Sequence, residues 1–195
     1  RLDDSRRAEK VYQEVLAIDP DDPDMVIPAA RRLGEIYEEE GKHPNLATAL
    51  ATQVRLVADI AERKELYARI ANLYEDILDD SVRAVEAWQS RLADASDIPA
   101  LKALERLYER TERWRELVEI LHQLETAALE GDERKRCMVK AAEVLAQEIE
   151  ETDEAINAWR AVLDDFGPEA DTLAALSKLY KTAERWEDLA EVYDV

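Results

Sequence analysis

The sequence predicts an all-α protein, an α-solenoid built from antiparallel helix pairs with about 11 helices. Three observations carry this expectation. Only 4 Gly and 6 Pro punctuate 195 residues, which favours long helices joined by short turns. Apolar residues recur at three- and four-residue steps, as in Leu101, Leu104, Leu107 and Tyr108 and again in Leu117, Ile120, Leu121 and Leu124. That spacing lays one apolar stripe along a helix. Finally, the chain repeats itself. Ala84-Val-Glu-Ala-Trp88 returns 71 residues later as Ala155-Ile-Asn-Ala-Trp159. Leu107-Tyr-Glu-Arg-Thr-Glu-Arg-Trp114 returns after 72 as Leu179-Tyr-Lys-Thr-Ala-Glu-Arg-Trp186, the extra residue falling near Gly167. Glu62-Arg63-Lys64 returns after 71 as Glu133-Arg134-Lys135, and Ile36-Tyr37 aligns with Leu107-Tyr108 at the same offset.

Helices are expected near 4–18, 24–40, 44–60, 62–78, 81–94, 98–110, 113–129, 132–150, 153–166, 169–182 and 185–194. The first reads as the second half of a pair, so the chain is expected to begin inside a repeat. The Asp19-Pro-Asp-Asp-Pro23 stretch stops it and starts the next. Asp97-Ile-Pro99 places Pro in a first helical turn. Glu109-Arg-Thr-Glu-Arg113 is long enough only for a tight helix–helix turn. Trp114 and Trp186 then open second helices, where each is expected to lie across the turn and seal the hairpin. Thr152-Asp153-Glu154 sets acids at the positive end of a helix dipole. Asp165-Phe-Gly-Pro168 is again a stop followed by a start. Small residues mark the closest helix approaches, Gly34, Ala71 and Ala142 on first helices and Ala84 and Ala155 on second ones. The units fall near 1–20, 24–60, 62–95, 98–130, 132–167 and 169–195, read as a single solenoid over 1–195. No polar cap closes either end. Terminal units of a solenoid need one, so a longer array is expected, or another chain over the ends.

A period of 71 is close to twice the ~34 residues of a tetratricopeptide unit. Arg32-Leu33-Gly34-Glu-Ile-Tyr37-Glu-Glu-Glu-Gly41 carries that family's Leu-Gly, Tyr and Gly at the family's spacing. Ala8, Tyr12, Val15 and Pro20 reproduce the small, aromatic, apolar and proline series of its second helix. The chain therefore resembles a tetratricopeptide array over nearly its whole length, in the divergent tandem form common in large bacterial proteins. It departs from the pattern at Glu105 and Ser177, which replace Gly34, and at Glu112 and Glu184, which replace Gly41. The resemblance implies a right-handed solenoid that binds proteins, with the first helix of each pair lining a concave face.

Charge and chemistry narrow the function. With 46 acids against 26 bases the formal net charge is -20. This opposes general nucleic-acid binding, which needs cationic surface to displace counterions, and attachment to anionic lipid. No apolar run approaches the ~18 residues of a membrane span. The single Cys137 permits no intrachain disulfide and fits a reducing, cytoplasmic setting. Arg134, Lys135 and Arg136 could lower its pKa, but no base stands beside it in sequence. Two Glu-x-x-His pairs, Glu40 with His43 and Glu119 with His122, have a di-iron spacing. The first straddles the turn at Gly41 and the second has no counterpart one period away, so neither is read as a metal site. No Gly-rich phosphate loop is present. No enzyme activity, metal or cofactor is expected.

Aligned to the family's groove-facing places, the polar residues of the first helices are Arg31, Glu35, Arg69, Asn72, Lys102, Arg106, Lys140, Glu143 and Lys178. Six of these nine are basic in an acidic chain. Arg31, Arg69, Asn72, Lys102, Arg106, Lys140 and Lys178 are therefore the candidate partner-binding residues, for a protein or peptide with an acidic segment. The competing reading pairs these bases with neighbouring acids between repeats. The expected function is a non-catalytic protein-interaction scaffold in a larger assembly. The alternatives are a regulatory arm of a larger enzyme or signalling protein, and a structural module that self-associates through its ends. The concave-face reading expects Lys102→Glu with Arg106→Glu to weaken a partner, measured by affinity capture, without unfolding the domain.

Overall fold

A computed structural model describes residues 2–93, 97–128 and 131–193. Among these, all regular structure is helical: α1 (Leu2–Ile18), α2 (Pro23–Glu39), α3 (His43–Leu56), α4 (Ile60–Asn72) with a π-helical turn at Leu73–Ile77, α5 (Ser81–Leu92), α6 (Ile98–Arg110), α7 (Trp114–Ala127), α8 (Gly131–Gln147), α9 (Thr152–Phe166), α10 (Ala170–Thr182) and α11 (Trp186–Tyr193). Several helices start at an aspartate that accepts a free backbone N–H of the first turn. Asp22 accepts from Asp24, Asp59 from Glu62, Asp80 from Arg83 and Asp97 from Ala100. The expected ends at 94, 129 and 194 lie outside the described residues. The third helix stops at Leu56 rather than near 60. Val57 is buried and continues the apolar period, but Val57 to Asp59 is already the linker in which Asp59 caps α4.

The chain divides into two compact units, Arg1–Ala100 and Leu101–Val195. Within each, helices pack on their chain neighbours. In the first, α1 packs on α2, α2 on α3, α3 on α4 and α4 on α5; in the second, α7 packs on α8, α8 on α9, α9 on α10 and α10 on α11. The helices pair as α2 with α3, α4 with α5, α8 with α9 and α10 with α11, α6 and α7 are joined by the same kind of tight turn, and α1 stands as a second helix. Below, the first helix of each pair is its A helix and the second its B helix. The A/B seams close on small residues, with Ala71, Ala84, Ala142 and Ala155 all fully buried. In the second unit Met138, Ile156, Trp159, Val162, Leu176 and Tyr180 form one core with Leu189 and Val192.

Each pair reverses through one residue with positive φ: Gly41 at 67°, Asp79 at 50°, Glu112 at 54°, Glu150 at 59° and Glu184 at 55°. The turns come in two widths. After α2, α6 and α10 the cap is a Schellman turn: Lys42 N–H donates to Tyr37 O, Arg113 to Tyr108 and Arg185 to Tyr180, at 2.8–2.9 Å. After α4 and α8 the closing bond spans one residue more, from Asp80 N–H to Tyr74 O and from Glu151 N–H to Leu145 O. The 71-residue period is thus two unequal pairs.

One expectation fails here. Trp186 does not seal its hairpin, being 62% exposed, and Trp114 is only half-buried. A tyrosine closes the turn instead. The cation after the turn folds back over the last tyrosine of the A helix, with Lys42 over Tyr37, Arg113 over Tyr108 and Arg185 over Tyr180 at 4.8–5.7 Å. His43, which holds the Trp114 position in the first unit, lines a cleft toward α4.

Non-glycine residues in the left-handed region cost roughly 1–2 kcal/mol. Glu112→Gly and Glu184→Gly are expected to raise stability by about 1 kcal/mol each, and Gly41→Ala to lower it by a similar amount. At Gly34 an added Cβ would meet Leu46 Cδ1 at 3.6 Å and Gln53 Nε2 at 3.7 Å, ordinary contact distances. Gly34→Ala is thus expected to stabilise α2 by about 0.5–1 kcal/mol. Urea unfolding of the four variants measures all of these.

Candidate partner-binding clefts

The A helices carry the candidate residues, and most of their bases meet acids on a neighbouring A helix. Arg31 on α2 reaches Glu62 on α4 at 2.8 Å, and Lys102 on α6 reaches Glu133 on α8 at 3.1 Å. Both partners of the second pair lie 71 residues after those of the first. Arg69 binds Glu38 at 3.1 Å, and Lys140 binds Glu109 at 2.9 Å, again 71 on for both. Lys64 with Asp97 at 3.4 Å returns as Lys135 with Glu169 at 2.5 Å, shifted by 71 and 72 across Gly167. The repeated Glu-Arg-Lys block is therefore a stacking device. Its glutamate ties back to the preceding A helix and its lysine reaches forward to the start of the next. Exposed pairs like Arg31–Glu62 contribute little energy, but their recurrence fixes how neighbouring helices register.

The second unit adds a buried acid. Glu105 stands where the first unit has Gly34, and only 10% of its side chain is exposed. It bonds Arg136 at 2.8 Å and Lys140 at 2.9 Å. Arg136 in turn replaces Glu65 of the first unit. Burial opposes the charge of Glu105, but the bonds from Arg136 and Lys140 outweigh it and hold the carboxyl below its ordinary range. Cys137, beside Arg136, is fully buried, and burial pushes its thiol up despite the cation. That is the reverse of what a nucleophilic thiol needs. His122 lies 3.4 Å from Glu125 rather than near Glu119. Among the described residues no cluster of three or more His, Cys, Asp or Glu is placed to hold a metal, and no helix is long and apolar enough to cross a membrane.

Clefts open between successive A helices, each with a B helix as floor. In the first unit a cleft of about 240 Å³ between α2 and α4 is lined by Arg69, Asn72, Glu38, His43 and Asp76 over Leu46 and Leu50 of α3. In the second, a cleft of about 470 Å³ between α8 and α10 is lined by Glu143, Gln147, Glu150, Asp171 and Lys178 over Trp159 of α9. Of the candidate residues, Arg69 and Asn72 thus share one cleft, and Lys178 lies in the other with Glu143. Arg31, Lys102 and Lys140 sit in ion pairs, and Arg106 is exposed with an interaction inside the chain. Reversing Lys102 and Arg106 therefore removes a structural ion pair as well as surface charge, and Lys178 is the cleaner probe of a partner. Glu150, Trp159 and Asp171 were not among the candidates. Asp171 shares a helical face with Ala175, Lys178 and Thr182, so spacing alone could have found it. Glu150 belongs to a left-handed turn and carries no such signal.

Glu105→Gln is expected to destabilise the second unit by about 1–3 kcal/mol, against less than about 1 kcal/mol for Glu62→Gln in an exposed pair. The folded pKa of Glu105 lies below its ordinary 4.5. Its stabilisation is therefore complete above about pH 4.5 and is lost as pH falls through the lowered folded value. Thermal melts between about pH 3 and 7 should show a shallower acid loss in Glu105→Gln than in the parent.

Comparison with known proteins places the repeat. Residues 100–135, covering α7 and most of α6, match the tetratricopeptide repeat family. No curated protein matches the chain. Among solved structures, MamA from AMB-1 is 18% identical, with a TM-score of 0.48 over 88% of this chain and 90% of that one. YrrB, described as a TPR protein with an unusual peptide-binding site, is 16% identical, with a TM-score of 0.45 over 94% and 89%. The TPR2AB domain of yeast Sti1, in complex with pHSP90, is 16% identical, with a TM-score of 0.38 over 97% and 82%. Residues 100–135 match the tetratricopeptide repeat family, and the helices before and after them follow the same antiparallel helix-pair plan.

Proposed function

We propose that the chain is a non-catalytic protein-binding scaffold that takes peptide segments in the clefts between successive A helices. One observation carries this reading. The charged residues of the A-helix faces are mostly matched inside the chain, whereas the clefts retain polar groups with no ion pair or side-chain hydrogen bond to another described residue. These include His43, Asn72 and Asp76 in the first cleft and Glu143, Gln147, Glu150, Asp171 and Lys178 in the second. Unmatched polar groups around an apolar floor suit a partner that supplies the missing bonds. The tetratricopeptide repeat at 100–135 supports the same reading by kinship, and YrrB and Sti1 carry peptide or protein partners in their descriptions. Arg31, Arg69, Lys102 and Lys140 already hold acids, so these bases do not by themselves call for an acidic partner.

The test blocks the clefts. Ala175→Trp and Asn72→Trp fill them from α10 and α4, and Asn157→Trp adds the same ring to an exposed site on α9. In affinity capture from a lysate of the source cells, the first two are expected to lose proteins that the parent and Asn157→Trp retain. Equal capture by all four would refute the reading.

A further inference from the structure

The larger cleft has a built division between floor and rim. Ala146 of α8, Trp159 of α9, and Ala175 and Leu179 of α10 give it an apolar floor, with Trp159 only 5% exposed. Its rim is acidic. Glu143 and Glu150 come from α8 and the turn after it, and Asp171 from the first turn of α10. Lys178 is the one cation among the lining residues.

These charges differ from the acids that tie the A helices together. Glu38, Glu62, Glu105, Glu109 and Glu133 each meet an Arg or Lys of a neighbouring helix. Glu143, Glu150 and Asp171 meet none among the described residues, and Lys178 lies beyond ion-pair distance of all three. Three carboxylates against one ammonium leave the cleft with a surplus of two negative charges that the fold does not use.

We infer that the α8–α10 cleft takes a protein segment presenting an arginine beside a small apolar residue. This rests on the protein-binding reading of the cleft and names its partner. Arginine answers both halves of the site. Its stem can lie along Ala146, Ala175 and Leu179 while its head stays at the polar rim. Its guanidinium presents donors in a fork that matches carboxylates. A cleft of about 470 Å³ accommodates one such side chain with its neighbours. The net charge of -20 speeds encounter with a cationic segment and repels an acidic one. Lys178 then acts against the partner's cation and limits affinity, the opposite of the role a carboxylate ligand would give it.

The sign of the Lys178 effect makes the proposal testable. The probes are two fluorescein-labelled peptides of about twelve residues, one repeating Ala-Arg-Leu and the other Ala-Glu-Leu, titrated with the full chain at about 150 mM salt. The arginine peptide is expected to bind. Glu143→Gln with Asp171→Asn should weaken it about tenfold or more, and Lys178→Glu should tighten it severalfold. Glu39→Lys with Glu65→Lys, at exposed sites of the first unit, should change it by less than about twofold. Far-UV melts verify that each variant is folded. Equal weakening by the remote pair would mean diffuse attraction and overturn the proposal. Binding of the glutamate peptide, lost in Lys178→Glu, would also overturn it while leaving a protein-binding cleft. Binding of neither peptide overturns it as well, and the Ala175→Trp capture comparison still decides independently whether the cleft binds protein.

Discussion

Every helix pair in this protein depends on a reversal made in about three residues, and that reversal turns on one left-handed backbone position. At Gly41, Asp79, Glu112, Glu150 and Glu184 the chain adopts positive φ so that an N–H past the helix end can return to a carbonyl of its last turn. The consequences run outward. The reversal sets the B helix against its A helix, where Ala71 with Ala84 and Ala142 with Ala155 are buried without exposure. It also delivers a cation onto the tyrosine that ends the A helix in the three narrow turns. Four of the five positions are acidic rather than glycine. The strain at each is tolerated because the cap bonds and the packed pair hold it in place.

The ion pairs act one level higher. Turn geometry joins two helices, whereas Arg31–Glu62, Lys102–Glu133 and their companions join successive A helices. Their energy is modest because most are solvent-exposed. Their recurrence at one offset in both units marks the register at which successive A helices sit. Glu105 and Asp97 are the buried acids of this set, and the two cations of Glu105 arrive from the same helix, α8. The second unit thereby exchanges a glycine for a small buried network at the corresponding place.

Much of this was legible in the sequence because it depends on local pattern. Apolar stripes located the helices, and the 71-residue offset marked a period of two helix pairs. The offset blocks even held the ladder, although Glu62-Arg63-Lys64 read only as a recurrence. What it recurs for is a pairing across 31 to 34 residues, and sequence spacing does not show which side chains meet at that range. The role of the tryptophans was misjudged for a related reason. A large ring at the start of a B helix is compatible with either neighbour, and only the direction of its side chain decides which. Similarly, Glu112 and Glu184 looked like lost glycines, whereas the backbone retains the glycine conformation without the glycine.

The same distinction between local pattern and distant pairing bears on function. A count of basic residues on the A helices suggested an acidic partner. Most of those bases proved to be committed to acids one helix away, which removes them from the surface potential that a partner meets. The residues left over decide the character of the binding face, and in the second unit they are mainly Glu143, Glu150 and Asp171. Composition reports charge before pairing, and a partner encounters charge after pairing. In a repeat protein that stitches its helices with Arg and Glu, the two can differ in sign, and the α8–α10 cleft is a place where they do.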